Sequence, residues 1–336
     1  MKFPNAFTLL LFFLPTSAAF SSFTKNFLAS NSIHAQPNHE TTLRMSLSDV
    51  KVMVNGMPGP MATAAAEACL RKGLSLSPVA MTGPDLEPMT ITVVDPVTEK
   101  KGNVRLIPSS NIEEIEASLE GLQTAAGENN IMAIDYTHPS AVNSNAKFYA
   151  KNSIPFVMGT TGGDREQLMK DMEELKASAV IAPNMGKQIV ALQAGLEDLA
   201  TKFPSAFEGY TLDVKESHQK TKADTSGTAK AVVDSLKVLA NDQNYSYDDI
   251  KQIRDDEESI DFGVGEDALN GHAFHTYTFT SPDGSVEFQL KHNVSGRTVY
   301  AEGTADAIKF LSKKITAGGA GKVYNMINVL EEGAMD

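Results

Sequence analysis

A histidine, three lysines, an aspartate and a Ser-Gly-Thr step crowd into fifteen residues, Lys215-Glu216-Ser217-His218-Gln219-Lys220-Thr221-Lys222-Ala223-Asp224-Thr225-Ser226-Gly227-Thr228-Ala229. His218 is a proton carrier near neutral pH, and Lys222, four residues on, is a compact fixed cation. Ser226-Gly227-Thr228 opens an apolar run at helical spacing, and the first N–H groups of a helix lack acceptors and favour a carboxylate or phosphate. Together these residues suit delivery of a proton beside a bound anion. The plainer alternative is a capped helix with an exposed histidine and solvated lysines. The stretch needs a strand before it, residues 210–214, and a helix after it, to about residue 240.

A second stretch with chemical potential lies near the other end. Residues 50–55 alternate and are β-branched, as a strand requires, and Gly56-Met57-Pro58-Gly59-Pro60-Met61 leads straight into an Ala-rich helix. Strand, Gly-x-x-Gly turn and helix form a phosphate cradle in dinucleotide folds, and Pro60 suits a first helical turn. An ordinary tight turn is the competing reading. A second strand over 76–81 ends in Thr82-Gly83-Pro84, with neither the acid that holds a ribose 2′-hydroxyl nor the arginine that takes a 2′-phosphate. That turn leaves NADH against NADPH open.

The elements that position these stretches alternate strand, turn and helix. A helix over 111–120 is followed by a strand over 131–135 that ends in Asp135-Tyr136-Thr137-His138-Pro139. Asp135 and His138 there are expected to make loop and cap hydrogen bonds. A helix over 141–152 and a strand over 154–158 lead to Gly159-Thr160-Thr161-Gly162-Gly163, small residues against which a flat ring can lie. The strand over 179–182 ends in Pro183-Asn184-Met185-Gly186. This order predicts a right-handed parallel sheet. Residues 187–202 form an amphipathic helix, and 241–259 a polar surface loop with a short helix. Alternating runs over 271–280, 285–293 and 298–302 predict strands, with a Ser281-Pro282-Asp283-Gly284 hairpin turn between the first two. They make an open, mixed sheet covered on one side by helices. Residues 305–311 and 323–330 are expected to be helices returning to the first domain. The fold class is thus α/β: a Rossmann-like parallel-sheet dinucleotide-binding domain plus an α+β substrate domain with an open mixed sheet. His272 and His275 fall on opposite faces of their strand, and no metal site is expected.

At 336 residues, 42% hydrophobic and 21% charged, the chain has room for two globular domains. A formal net charge of −13 argues against general attraction to nucleic acid or anionic lipid. Cys69, the single cysteine, permits no internal disulfide and reads as a small buried residue. Residues 1–20 carry Lys2, an apolar core and small residues, the layout of a signal peptide; the Ser/Asn-rich stretch to residue 45 resembles a transit peptide. Ser17-Ala18-Ala19-Phe20 looks like the Ala-Phe junction of two-part plastid presequences in diatoms and related algae. Plastid import is expected, with secretion as the alternative.

Five motifs in order resemble 4-hydroxy-tetrahydrodipicolinate reductase, the lysine-pathway family also called dihydrodipicolinate reductase. They are residues 54–61, 134–139, 156–165, the 215–229 stretch and His292-Asn293-Val294-Ser295-Gly296-Arg297. The likeness is greatest to the plant-type branch, with His218-Gln219 in place of a bacterial His pair and Thr225 in place of a proline. The resemblance implies reduction of a cyclic dicarboxylate with NADPH or NADH as cofactor. By that resemblance Gly56, Met57, Pro58, Gly59, Pro60 and Met61 hold the pyrophosphate, and Gly159, Thr160 and Thr161 face the nicotinamide. Pro183, Asn184 and Met185 border the ring. His218 matches the proton donor and Lys222 a second donor, while Gln219, Ser226, Gly227 and Thr228 match the substrate-gripping residues. Pro60 departs from a position often basic in the family, which leaves the phosphate to backbone contacts. The division implied is a presequence (1–45), a dinucleotide-binding domain (46–184), a substrate and oligomerisation domain (185–303) and C-terminal helices returning to the first (304–336). Partners expected are the dicarboxylate and further copies of the chain, as a dimer or tetramer, with neither nucleic acid nor membrane. A non-catalytic NADPH sensor is the reading from another class.

Overall fold

The computed structural model describes residues 50–126 and 130–332. The expected presequence, residues 1–45, lies outside the described residues.

The nucleotide half is built on β1 (Lys51–Asn55), whose glycine turn feeds α1 (Pro60–Arg71) with Pro60 in the first turn. Then follow β2 (Ser75–Leu76), β3 (Val79–Thr82), β4 (Met89–Val94), β5 (Lys101–Pro108) and α2 (Ile112–Ala126). After them come β6 (Ile131–Asp135), α3 (Val142–Lys151), β7 (Phe156–Met158), α4 (Arg165–Glu174) and β8 (Ala179–Ile181). The substrate half has α5 (Lys187–Lys202), β9 (Thr211–His218), α6 (Gly227–Ala240), β10 (Lys251–Ile253), α7 (Asp256–Asp261), β11 (His272–Thr280) and β12 (Glu287–Ser295). The chain closes with α8 (Thr298–Thr316), β13 (Val323–Tyr324) and α9 (Met326–Glu331).

Among the described residues three sheets result. The main one is parallel, in the order β13-β8-β7-β6-β1-β2. Its strands are near-continuous apolar runs because both faces are covered, as all-parallel sheets require. The substrate sheet, β10-β9-β11-β12, is mixed: β10 runs parallel to β9, while β11 is antiparallel to both neighbours. Each half has its own hydrophobic core. One gathers β1, β6, β7, α1 and the inner face of α8; the other gathers α6, Val214, Tyr277 and Phe279.

Several expectations are corrected. The single strand expected over 76–81 is broken at Ser77-Pro78. Ser77 N–H still bonds Val52 O, but Pro78 has no N–H, and the chain turns away into a three-stranded sheet, β3-β5-β4. The expected loop after Val214 begins later: β9 runs on to His218 because β10 and β11 pair with it on both sides. β10 itself falls in the segment read as surface loop. Residues 298–302, read as a strand, are the first turns of α8; β-branched Thr298 and Val299 mislead, whereas buried Ala301, Ala305 and Ile308 keep helical spacing. Residues 323–324 are strand β13, and the helix after them starts at a capping box between Asn325 and Asn328.

Candidate active site

The carboxyl ends of β1, β6, β7 and β8 converge on one edge of the parallel sheet, where open α/β folds bind ligands. At Gly56 the chain turns with φ of 99°, and a Cβ there would stand 2.0 Å from the Tyr136 carbonyl oxygen. Only glycine fits so close an approach. Gly59 caps α1 with no side-chain hydrogen bond and no acid follows in the first turn, so the amide groups of that end are free for an anion. Beside the turn lies a cleft of about 340 Å³ lined by Met61, Tyr136, Gly159–Thr161, Pro183–Met185 and Tyr300. It therefore gathers seven of the twelve residues expected to hold the cofactor. The glycine cradle, the open helix end and this flat-walled cleft fit a dinucleotide.

Asp135 holds the floor. Its carboxylate accepts from Thr137, Thr160, Asn145 and the Tyr149 hydroxyl at 2.6–3.0 Å. His138 accepts from Ser140 N–H at 3.2 Å, the expected cap. Tyr136 and Tyr300 were missed in the sequence. Tyr136, at a strand's carboxyl end, carried a signal; Tyr300 did not, because its segment was read as a strand. The Tyr136 hydroxyl bonds Thr304 at 2.6 Å, fixing its ring under the cleft.

The 215–229 stretch meets the cleft lining through Thr228. Asn184 Nδ2 donates to Thr228 Oγ1 at 3.0 Å and Asn184 Oδ1 accepts from Gly186 N–H, so one side chain joins the two halves. Ser226 is the N-cap of α6, and Gly227 and Thr228 form its first turn, which carries no acid. Lys222 is half-buried and pairs with exposed Asp224 at 2.7 Å. Gln219 is half-buried at the end of β9.

His218 is 7% exposed, so the exposed histidine of the plainer reading is ruled out. Its Nδ1 donates to the His272 carbonyl at 3.1 Å, which leaves Nε2 as acceptor, 3.3 Å from His275 Nε2. Burial, with the Arg254 and Lys222 charges behind it, pushes the imidazole down to about 3. His275, 1% exposed, is pushed down to about 2, again chiefly by burial. It stacks on His292 with ring centroids 4.6 Å apart.

Glu216 and Arg254 were also missed. Fully buried Glu216 accepts from the Arg254 guanidinium and from Ser226 N–H at 3.1 Å. Arg254 Nε donates to Lys222 O at 2.7 Å and Nη2 to Asp224 O at 3.3 Å. One guanidinium thus staples the lysine loop to two strands. Glu216, His218 and His275 bring a ligand atom each to within 4.8 Å of one another, a grouping the sequence did not predict. Arg254 already supplies the cation that Glu216 needs, and the two imidazoles hydrogen-bond each other. His272 turns the other way, to Ser217 Oγ at 2.8 Å. Cys69 is buried and its thiol pushed up to about 12 by that burial, which suits packing and not nucleophilic attack.

Comparison with known proteins covers both halves. Residues 50–185 match the family model "Dihydrodipicolinate reductase, N-terminus", and 189–330 match "Dihydrodipicolinate reductase, C-terminus". The chain is 45% identical over 285 residues to a probable chloroplastic 4-hydroxy-tetrahydrodipicolinate reductase 1 of Oryza sativa subsp. japonica, covering 84% of this chain and 79% of that one. It is 44% identical over 294 residues to the chloroplastic 4-hydroxy-tetrahydrodipicolinate reductase 1 of Arabidopsis thaliana, covering 85% and 79%. Among solved structures, a dipicolinate-bound dihydrodipicolinate reductase from Paenisporosarcina sp. TG-14 shares the fold with a TM-score of 0.52 at 19% identity, covering 82% of this chain and 97% of that one.

Proposed function

The chain belongs to the dihydrodipicolinate reductase family, and from that premise we propose that it reduces 4-hydroxy-tetrahydrodipicolinate to tetrahydrodipicolinate with NAD(P)H, releasing water. The observation that carries the reading is the Asn184–Thr228 bond, which joins the lining of the cleft to the first turn of α6, the helix that follows the His218/Lys222 loop. Bound nicotinamide supplies the hydride, and the chain supplies orientation, charge and a proton. In this reading Gly56–Met61 cradle the pyrophosphate on the α1 terminus. The first-turn amides of Gly227 and Thr228 grip a substrate carboxylate, with Ser226 holding that turn in place. Negative charge that builds on the substrate ring is relieved by Lys222 and by a proton from His218.

Burial keeps His218 neutral in the free protein. A bound dicarboxylate brings negative charge beside it and raises its affinity for a proton, as opposite charges do at short range. Lys222 exchanges its partner Asp224 for the substrate within the loop that Arg254 holds. The test replaces His218 with glutamine. Turnover is followed as NADPH absorbance, with substrate generated in place from pyruvate and aspartate semialdehyde. We expect turnover to fall by about 10²–10⁴-fold with cofactor binding retained; wild-type turnover would overturn the role of His218.

The two hydrophobic cores support a division into dinucleotide-binding and substrate domains, with the return starting at α8. The long, exposed edge strand β12 supports self-association into a homo-oligomer, which sedimentation measures directly. The chloroplastic relatives support plastid targeting; a reporter fused to residues 1–45 that stays in the secretory pathway would count against it.

A further inference from the structure

We propose that His275 is a positioning residue for proton delivery: its Nε2–H, donated to His218 Nε2, holds that ring in line and sets how readily it takes a proton. The inference rests on the reductase reading above and adds a residue that acts through His218. Strand register makes the pair. His275 on β11 stands opposite Glu216 on β9 and opposite His292 on β12. Residues two apart on a strand share a face, so His218 lies on the same side of β9 as Glu216. One row of polar side chains thus crosses three strands.

The Nδ1–H of His218 is taken by the His272 carbonyl, so Nε2 is the one nitrogen free to take up and release a proton. His275 Nε2 lies 3.3 Å from it and donates there. Only neutral His218 can accept that bond, and a hydrogen bond to the neutral form opposes ionisation. Once His218 is protonated, two N–H groups would meet head on. A second acceptor stands close by: Glu216 Oε2 is 3.8 Å from His275 Nε2, and Arg254 keeps that buried carboxylate charged. The His275 N–H therefore turns from His218 to Glu216 as His218 takes its proton. No proton passes between the imidazoles; the one on His218 comes from solvent as the dicarboxylate binds, and it leaves to the substrate. The His275 ring is held for this between stacking partners, His292 at 4.6 Å and Tyr277 at 6.3 Å between centroids. Lys222, Arg254 and His272 are the other charged or titratable groups facing the pair. Among the described residues none of them hydrogen-bonds His218 Nε2.

Two variants separate this role from packing. His275→Phe keeps a ring to stack on His292 and removes the donor; His275→Gln restores an N–H at similar reach and cannot titrate. The measurement is kcat against pH, with substrate generated in place. Delivery needs protonated His218, so turnover falls on the alkaline side as that proton is lost. We expect His275→Phe to lower kcat about tenfold or more at the optimum, with KM little changed. Its alkaline limb should move up by about 0.5–1 pH unit, the effect of one hydrogen bond lost from the neutral ring. His275→Gln should bring the limb back to within about 0.3 pH unit of the wild type. Nitrogen NMR of histidine-labelled wild-type protein near neutral pH reads the pair without turnover. It should show His218 protonated at Nδ1 and bare at Nε2, and His275 protonated at Nε2. A limb that stays in place in His275→Phe, or a His275 bare at Nε2, would overturn the inference alone. Absence of turnover in the wild type would overturn it together with the reductase reading.

Discussion

Histidines buried in the neutral form, His218 and His275 most strongly, make stability fall on mild acidification, and His275→Gln should remove one histidine's share of that loss. His218 and His275 are pushed down to about 3 and about 2, and both are almost wholly enclosed. Their folded values lie below the unfolded value of about 6.5, so the unfolded chain takes up protons first as pH drops. The stability they confer is complete above pH 6.5 and is lost progressively from there down towards pH 3. From pH 7.5 to 5, linkage gives a loss of about 2 kcal/mol for each histidine. The chain has no tryptophan, so urea unfolding would be followed by circular dichroism at both pH values. The wild type should lose about 2 kcal/mol more than His275→Gln between them. Carboxylates common to both proteins cancel in that difference. A difference below about 0.5 kcal/mol would show that His275 titrates freely in the fold, and would refute its placement between His218 and His292.

Arg254→Leu leaves the buried Glu216 carboxylate unpaired and should cost about 3–5 kcal/mol in urea unfolding, with partial recovery on adding Glu216→Gln. Asn184→Ala removes the bond between the two halves; the KM for the dicarboxylate should rise several-fold, with about 1 kcal/mol of stability lost. At Gly303 a Cβ would stand 1.8 Å from Met185 O, so Gly303→Ala should destabilise by about 3 kcal/mol or more. An unchanged melting temperature would show that α8 does not approach the turn between β8 and α5 so closely.

What the sequence made legible was local. Lys187–Lys202 was readable to the residue because its apolar stripe and its ends lie within one window. Ser226 as a cap, Pro60 in a first turn and the glycine cradle are likewise set by near neighbours. The misread stretches are those in which a distant partner decides. Lys215–His218 looks polar enough for a loop until β10 and β11 flank it. Thr298 and Val299 have the side chains of a strand, but they begin a helix whose buried face is specified further on. The pairing of His275 with His218, and of Arg254 with Glu216, depends on strand register, and nothing within either segment encodes that. Pocket residues at strand ends were found; Tyr300, arriving from the far end of the chain, was not.

The nucleotide sheet is completed by the chain's last segment. β13 adds its outermost strand beside β8, and the buried face of α8 fills the core that β1, β6 and β7 begin. Asp306 on α8 binds Lys72, the C-cap of α1, at 2.6 Å and Lys187 of α5 at 2.5 Å, pinning the return. As the chain leaves a ribosome or enters a compartment amino end first, its first half cannot finish folding when it emerges. It must wait, with an apolar face uncovered, until some hundred further residues have passed and the substrate half has had time to form. The half made first is thus the half completed last, and the stretch of waiting is when the chain most needs protection from its neighbours.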